Sequence, residues 1–406
     1  MKDDKNNRVL NITFVLILAI LFGIYCFSLI MLHFNQTLYT ETGLYESDLF
    51  AHIEMALDGW GYSIIAIVIG ILHFLPGKLF NFGIALFLAA VEAGTMYAAF
   101  AFFQKKTRNP LASIILAFAS GFVMPAFIGS IQPYRYIGYQ SPSIWHNSTY
   151  IVMKLFALLS VMLYMSISEK YNETLDVKRV VIFSVLLALT TSVKTNFILA
   201  FAPVALLFLV IDGILGVKVK RLLLCALTVI PSLGVVLFQR IVLFGEETGN
   251  KVIVDPLYSV YLRAEKPYFT MILSAAFPVL ILLVNIIFVL KDTLKDFKKR
   301  DGRLTHRDFI FSWGMWFVGF VELLLLRETG ARELDDNFAW GYDFCLFMVF
   351  IISFVYFVKN LTEDKIKNKI VKIAYAFVGT ALAGYHLYCG VYFFVRLCFG
   401  ATFFMQ

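Results

Sequence analysis

The chain has 406 residues, of which 60% are hydrophobic and only 16% are charged, with a mean hydropathy of +0.78. Soluble domains carry about 25% charged residues, so this composition excludes an ordinary soluble protein and is typical of an integral membrane protein. The net charge of +7 does not indicate nucleic-acid binding, because the cations lie in short loops between apolar segments. In such loops, lysine and arginine determine the orientation of the chain in the bilayer.

Apolar runs recur along the whole sequence at the length needed to cross a hydrocarbon core of about 30 Å. No segment between them is long enough for a separate soluble domain, so we predict an all-α, polytopic membrane protein with a single integral membrane domain over residues 1–406. The first run is too long for a cleavable signal peptide and is interpreted as a true span. The eleven predicted spans are 9–33, 79–103, 110–133, 149–168, 178–193, 195–213, 221–245, 269–290, 308–326, 341–358 and 370–397.

The run 62–76 is about fifteen residues long, which is short for a span and suits an interfacial or re-entrant helix. If it does not cross and the N-terminus is cytoplasmic, 24 of the 35 basic residues lie on the cytoplasmic side. If it crosses with the same N-terminus, 21 of them lie outside, which the positive-inside rule rejects. A chain with an external N-terminus and twelve spans remains the alternative. Against it, the loop 34–60 contains several acids and no lysine or arginine, as expected of an external loop.

The first external loop reads TETGLYESDLFAHIEMALDGWG and is rich in acids. From Ser47 to Leu57 it predicts a short amphipathic helix, which together with the run 62–76 gives two short interfacial helices. Asp48 and His52 are four residues apart, so both can point the same way across the helix surface. The alternative is a solvated helix lying on the bilayer, whose charges have no catalytic role.

The second external loop, IQPYRYIGYQSPSIWHNS, holds Arg135, Tyr136 and His146. Its aromatic residues could serve only as anchors at the membrane interface, but an arginine is disfavoured on this side. Lys194 is the one charge in the run FSVLLALTTSVKTNFILAFAPVALLFLV, at the predicted external hinge between two spans. An isolated lysine costs about 2.5–3.5 kcal/mol at the bilayer centre, so Lys194 needs an anionic partner or serves a negatively charged substrate group.

Further charges lie at or near the same side. Arg240 is close to the outer end of its span, and Arg332 belongs to a loop before the tenth span whose charges could pair with one another.

Two acids lie within spans. We interpret Glu92 as a hydrogen-bond partner between helices, whereas Glu322, one turn inside the ninth span, could face an external cavity with Arg327.

A first span, an external loop with an aspartate on a short helix, and a second interfacial helix before the next span resemble the GT-C superfamily of membrane glycosyltransferases, which use polyprenyl-phosphate-linked sugars. The matching acid is Asp48 within YESDLFAHI, with Glu46 as the nearest alternative, and SVKTNFILAFAPVALL is similar to a lysine-then-apolar segment of that family. The resemblance covers about 50 residues well and residues 1–213 loosely, which divides the chain into a GT-C-like module over 1–213 and a variable transmembrane module over 214–406. The chain lacks the paired acids of several branches, so a divalent metal and the acceptor class stay open.

The resemblance implies a hexosyl- or pentosyltransferase of the cell membrane, in a bacterial plasma membrane by composition, with its site on the external side. A carboxylate would activate the acceptor hydroxyl, here Asp48 with Glu46 and His52 in support. Cations would stabilise the departing phosphate, and the candidates are Arg135, Lys194, Arg240 and Arg332. Tyr136, His146 and Glu322 would line the substrate cavity. The expected partners are membrane lipid, a lipid-linked sugar donor, and a saccharide, lipid or protein acceptor.

Two other functions remain open. A transporter or flippase of lipid-linked saccharides would also collect external cations, but it should show internal repeats and matched broken spans. The sequence shows no repeat. A polysaccharide polymerase or ligase would share the lipid-phosphate chemistry with a larger late external loop, whereas the loop 246–268 is modest in length.

Overall fold

The computed structural model describes residues 2–39, 43–59, 63–170, 174–243, 249–300, 302–363 and 365–406. Residues 40–42 and 60–62, in and next to the first predicted external loop, and 244–248, at the start of the late loop 246–268, lie outside them. The helices are α1 (Lys2–Leu38), α2 (Leu49–Leu57), α3 (Ile64–Leu72), α4 (Lys78–Thr107), α5 (Pro110–Phe122), α6 (Ser148–Ser168), α7 (Val177–Val193), α8 (Asn196–Ile214), α9 (Val219–Ala226), α10 (Ile230–Leu243), α11 (Tyr258–Arg263), α12 (Pro267–Ser274), α13 (Ala276–Lys299), α14 (Arg307–Leu325), α15 (Asn337–Thr362) and α16 (Lys369–Cys398). Strands β1 (Lys251–Val254) and β2 (Leu326–Thr329) pair antiparallel.

The described residues form an almost entirely helical protein, and its long apolar helices are compatible with embedding in a membrane. In the part of the chain that the structure describes, nine helical segments are long and apolar enough to cross a bilayer. Two other predicted spans form shorter helices, α5 with 13 residues and α7 with 17. The total of eleven spans therefore stays a prediction. The run 62–76 forms only the nine-residue helix α3, which is too short to cross a 30 Å core.

The predicted span 110–133 is helical only as far as Phe122, where the chain becomes extended. Pro125 is one reason, because proline disfavours helical geometry in the preceding residue, Met124. Non-helical backbone is tolerated at membrane depth only where it is enclosed by protein. Met124 is buried, and its N–H donates to the carbonyl of His386 at 3.2 Å. The Met124 carbonyl in turn lies 2.6 Å from the His386 imidazole. His386 on α16 therefore provides hydrogen-bond partners for both backbone polar groups of Met124.

Ion pairs gather the helix ends that carry the basic loops. Lys106, at the end of α4, pairs with Glu169 after α6 and, at 2.7 Å, with Asp308 on α14. Arg307 forms a buried ion pair with Asp212 near the end of α8. These helix ends therefore meet at one end of the molecule. The opposite end carries α2, α3 and the β1–β2 ribbon.

Glu92 joins two helices, as the sequence interpretation proposed. Its carboxylate accepts a hydrogen bond from the Tyr25 hydroxyl at 3.1 Å and lies 3.2 Å from Nε2 of His33, both on α1. Polar groups in a span are stable when they satisfy one another, so this cluster fixes α1 against α4.

Candidate functional site

A cavity of about 1320 Å³ opens at the end of the molecule opposite the basic loops. It lies where the short helices α2 and α3, the segment before α6, the α7–α8 hinge and the start of α15 come together. Seven of the predicted site residues line it, although they come from segments far apart in the sequence: Asp48, His52, Tyr136, His146, Lys194, Arg240 and Arg332.

Asp48 begins α2 and is held by the segment that precedes α6. Its Oδ2 accepts a hydrogen bond of 2.6 Å from the side-chain amide of Asn147. Its backbone N–H donates to the carbonyl of His146 at 2.9 Å. Nδ1 of His52, one turn further along α2, lies 2.7 Å from Oγ of Ser148. These contacts fix the positions of Asp48 and His52, and both residues line the cavity.

Both histidines of the cavity are held neutral at pH 7. Burial is the main cause: it lowers the pKa of His52 to about 4, with the nearby Lys194 acting in the same direction. Burial also lowers the pKa of His146 to about 4. Removing an imidazolium from water disfavours its charged form, so neither ring supplies a positive charge to the site.

Lys194 follows the last residue of α7 and projects into the cavity beside Trp340. Its Nζ lies 4.6 Å from the centre of the Trp340 ring. It forms no ion pair with any carboxylate of the described residues, so the internal anionic partner that its position suggested is not found there. Burial lowers the pKa of Lys194 to about 8, against the opposing effect of Asp48, so the side chain is still mostly cationic at pH 7.

The α7–α8 hinge around Lys194 is fixed by α10. The side-chain amide of Gln239 donates to the carbonyl of Ser192 at 3.0 Å and accepts a hydrogen bond from the Thr195 hydroxyl. Arg240, the next residue on α10, is exposed and lines the cavity. The hinge and α10 therefore bring two cations, Lys194 and Arg240, to one cavity.

The positive charge of Arg332 is compensated by carboxylates of the protein itself. Its Nε lies 3.2 Å from Glu328, and its guanidinium lies 3.6 Å from Asp335. Arg327 likewise pairs with Asp255 at 2.8 Å. Internal pairing was the alternative interpretation of this loop, and the geometry confirms it. Arg332 borders the cavity but is a weaker candidate for binding a ligand anion than Lys194.

Three predicted site residues do not line the cavity. The guanidinium of Arg135 lies between the rings of Phe127 and Tyr392, 4.2 Å from each centre, so cation–π contacts hold it away from the site. Glu46 is exposed on the loop before α2. Glu322 is buried on α14 and does not pair with Arg327, whose partners lie elsewhere.

The sequence interpretation missed several cavity residues. Asn147 could have been found from its position before α6, because asparagine is a good N-cap residue. Its Oδ1 accepts a hydrogen bond of 2.8 Å from the backbone N–H of Tyr150. Aromatic residues such as Trp340 gave no signal distinct from interface anchors. The missed residues that line the cavity include Asn147, Gln239, Lys251, Arg263, Trp340, Asp343, Phe403 and Phe404.

No group of three or more His, Cys, Asp or Glu side chains in the described ranges could hold a metal ion. Comparison with known proteins assigns the chain to no family, because no family model and no curated protein matches the sequence.

Proposed function

We propose that this protein is a membrane glycosyltransferase of the GT-C type, which transfers a sugar from a polyprenyl-phosphate donor to an acceptor hydroxyl on the non-cytoplasmic side. The observation that carries the proposal is the meeting of Asp48 and Lys194 in one cavity, opposite the basic loops. These are a carboxylate for the acceptor and a cation for the departing phosphate, and they come from segments about 146 residues apart in the sequence.

The reaction needs a group that takes the acceptor proton. The acceptor oxygen forms a bond to the anomeric carbon as the bond from that carbon to the phosphate oxygen breaks, and the electron pair leaves on the phosphate. Asp48 receives the proton, a role typically worth about 10²- to 10⁴-fold in rate. The hydrogen bond from Asn147 leaves the other carboxylate oxygen of Asp48 free for this step among the described contacts.

The departing phosphate needs a cation in a site of low dielectric. Lys194 supplies it from the α7–α8 hinge, with Arg240 nearby on α10, and neither forms an ion pair with a described residue. The polyprenyl chain needs an apolar surface that continues into the membrane. Ile65 and Ala66 on α3, Leu199 on α8 and Val236 on α10 give the cavity an apolar wall.

The test is sugar transfer by the purified protein in liposomes, from polyprenyl-phosphate sugars presented on the outer face. Asp48→Asn keeps the shape and the acceptor oxygen for Asn147 but cannot take a proton. We expect turnover to fall about 10²- to 10⁴-fold with donor binding preserved. Glu46→Gln is the matched control, because this exposed acid lies two residues away and outside the cavity.

Near-normal turnover by the Asp48→Asn variant would remove Asp48 from the reaction. If the wild-type protein transfers no sugar but moves the lipid-linked sugar across the bilayer, the protein is a transporter and the proposal fails. Products with more than one added sugar from the same donor would indicate the polymerase alternative.

A further inference from the structure

His146 is a buried polar side chain that lines the cavity, and only 4% of its surface is exposed. Its Nδ1 is buried without a hydrogen-bond partner. Its Nε2 also has no hydrogen bond to any residue that the structure describes. The other cavity histidine, His52, differs in this respect, because its Nδ1 lies 2.7 Å from Oγ of Ser148.

An unsatisfied polar group that is buried costs about 1–3 kcal/mol, and buried polar groups in proteins nearly always have a partner. Because its pKa is lowered to about 4, the imidazole is neutral at pH 7. In a neutral imidazole one nitrogen donates and the other accepts, so a hydroxyl group, which both donates and accepts, can pair with either nitrogen, whereas an anion can pair only with the N–H and a hydrocarbon chain with neither.

The rings around His146 form a rigid aromatic corner of the cavity, made of Tyr136, His146, Trp340 and Phe403. The Phe403 ring stacks on the imidazole at 4.4 Å with an interplanar angle of 20°, and Tyr136 meets it edge-on at 4.8 Å. Trp340 lies 6.1 Å away. Aromatic surfaces next to hydrogen-bonding groups suit a ligand that has both apolar faces and hydroxyls, as a sugar ring does.

Trp340 links this corner to the cationic part of the cavity. Lys194 lies over one part of its ring, and its indole nitrogen, like the nitrogens of His146, has no hydrogen-bond partner in the described part of the chain. A phosphate at Lys194 would therefore lie next to the aromatic corner that contains His146.

We propose that the aromatic corner is the sugar subsite of the cavity, in which His146 hydrogen-bonds a hydroxyl of the sugar ring carried by the donor phosphate. This inference rests on the proposed function and adds to it the residues that recognise the sugar. His146 acts by binding and positioning the sugar, while Asp48 carries out the proton transfer.

The test separates sugar binding from phosphate binding. Equilibrium affinities are measured in nanodiscs for undecaprenyl phosphate alone and for its glucosyl, mannosyl, galactosyl and arabinosyl derivatives. In the wild-type protein, at least one derivative should bind more tightly than the sugar-free lipid. His146→Phe keeps a ring against Phe403 but removes both nitrogens. We expect it to weaken binding of that derivative by about two- to tenfold and to leave the affinity for undecaprenyl phosphate unchanged.

His73→Phe is the matched control, because His73 is exposed on the turn after α3 and does not line the cavity. Its affinities should equal those of the wild type. Trp340→Phe keeps a ring beneath Lys194 but removes the indole N–H, and it should also lose affinity only for the sugar-bearing lipid. This second variant provides the answer if His146→Phe does not fold.

The inference is overturned if no sugar-bearing lipid binds more tightly than undecaprenyl phosphate, or if the variants weaken both lipids equally. If the wild-type protein transfers sugar but the His146→Phe variant binds the donor normally, the subsite fails and the transferase proposal stands. If sugar binding depends on His146 but no sugar is transferred, the subsite stands and the transferase proposal fails.

Discussion

The side-chain amide of Asn147 donates a hydrogen bond of 2.6 Å to the carboxylate of Asp48, although the two residues are 99 positions apart. The same side chain caps α6, because its Oδ1 accepts from the backbone N–H of Tyr150. One asparagine therefore fixes the position of Asp48 relative to the helix that follows the second loop. The position of the proposed catalytic carboxylate depends on this cap.

Separate substitutions distinguish the two roles of Asn147. Asn147→Ser keeps a good N-cap but loses the amide donor to Asp48, so we expect turnover to fall about 10- to 100-fold, as for the loss of a hydrogen bond to a charged group. Asn147→Ala loses the cap as well and should be about 1 kcal/mol less stable than the serine variant. Turnover assays and thermal melting measure the two effects. Equal turnover of the serine variant and the wild type would contradict the positioning role.

The pH dependence of donor binding should follow Lys194. Because burial lowers its pKa to about 8, it is cationic at pH 7 and loses its charge as the pH rises through about 8. We expect kcat/KM, which reports the free protein, to fall above that pH. In the unfolded chain the pKa of Lys194 is its ordinary value of 10.5. Between about pH 8 and 10.5 the unfolded chain therefore binds more protons than the folded protein does. For that reason Lys194 makes the folded protein more stable as the pH rises through this range.

Lys194→Met should abolish the fall of kcat/KM above about pH 8, which we call the alkaline limb. It should also remove most of the donor affinity, while expression is preserved. Lys78→Met is the control, since Lys78 is exposed at the start of α4, outside the cavity. An alkaline limb that persists in the Lys194→Met variant would assign it to another group.

Two acids within spans should behave differently on mutation. Glu92→Ala removes the acceptor for Tyr25 and His33, and we expect it to reduce stability by about 1–3 kcal/mol. Oε2 of Glu322 is buried without a hydrogen-bond partner among the described residues, so Glu322→Gln breaks no described contact and should not lower stability. Thermal melting in detergent compares them. Neither substitution should change donor affinity, because neither residue lines the cavity.

The orientation in the membrane predicts which end of the molecule reacts from outside. In a background without the five native cysteines, a cysteine at Glu54 on the exposed side of α2 should react with an impermeant maleimide added to intact cells. A cysteine at Lys298, near the end of α13, should react only after permeabilisation. Labelling of position 298 from outside would reverse the orientation and place the cavity in the cytoplasm.

The sequence by itself determined the features that depend on neighbouring residues. Runs of apolar side chains predict spans because each crosses the bilayer with its own backbone hydrogen bonds satisfied. The four-residue spacing of Asp48 and His52 placed both on one face of α2, and both line the cavity. The isolation of Lys194 in an apolar run also marked a residue that lines the cavity.

Tertiary structure alone decided which charges meet. Arg135 and Lys194 were both candidates in the sequence, but packing places Arg135 between two aromatic rings and Lys194 in the cavity. The hydrogen bond from Asn147 to Asp48 and the position of Trp340 beneath Lys194 join segments about 100 to 150 residues apart. Hydropathy and helical periodicity carry no information about such pairs, because they depend on how the helices pack against one another.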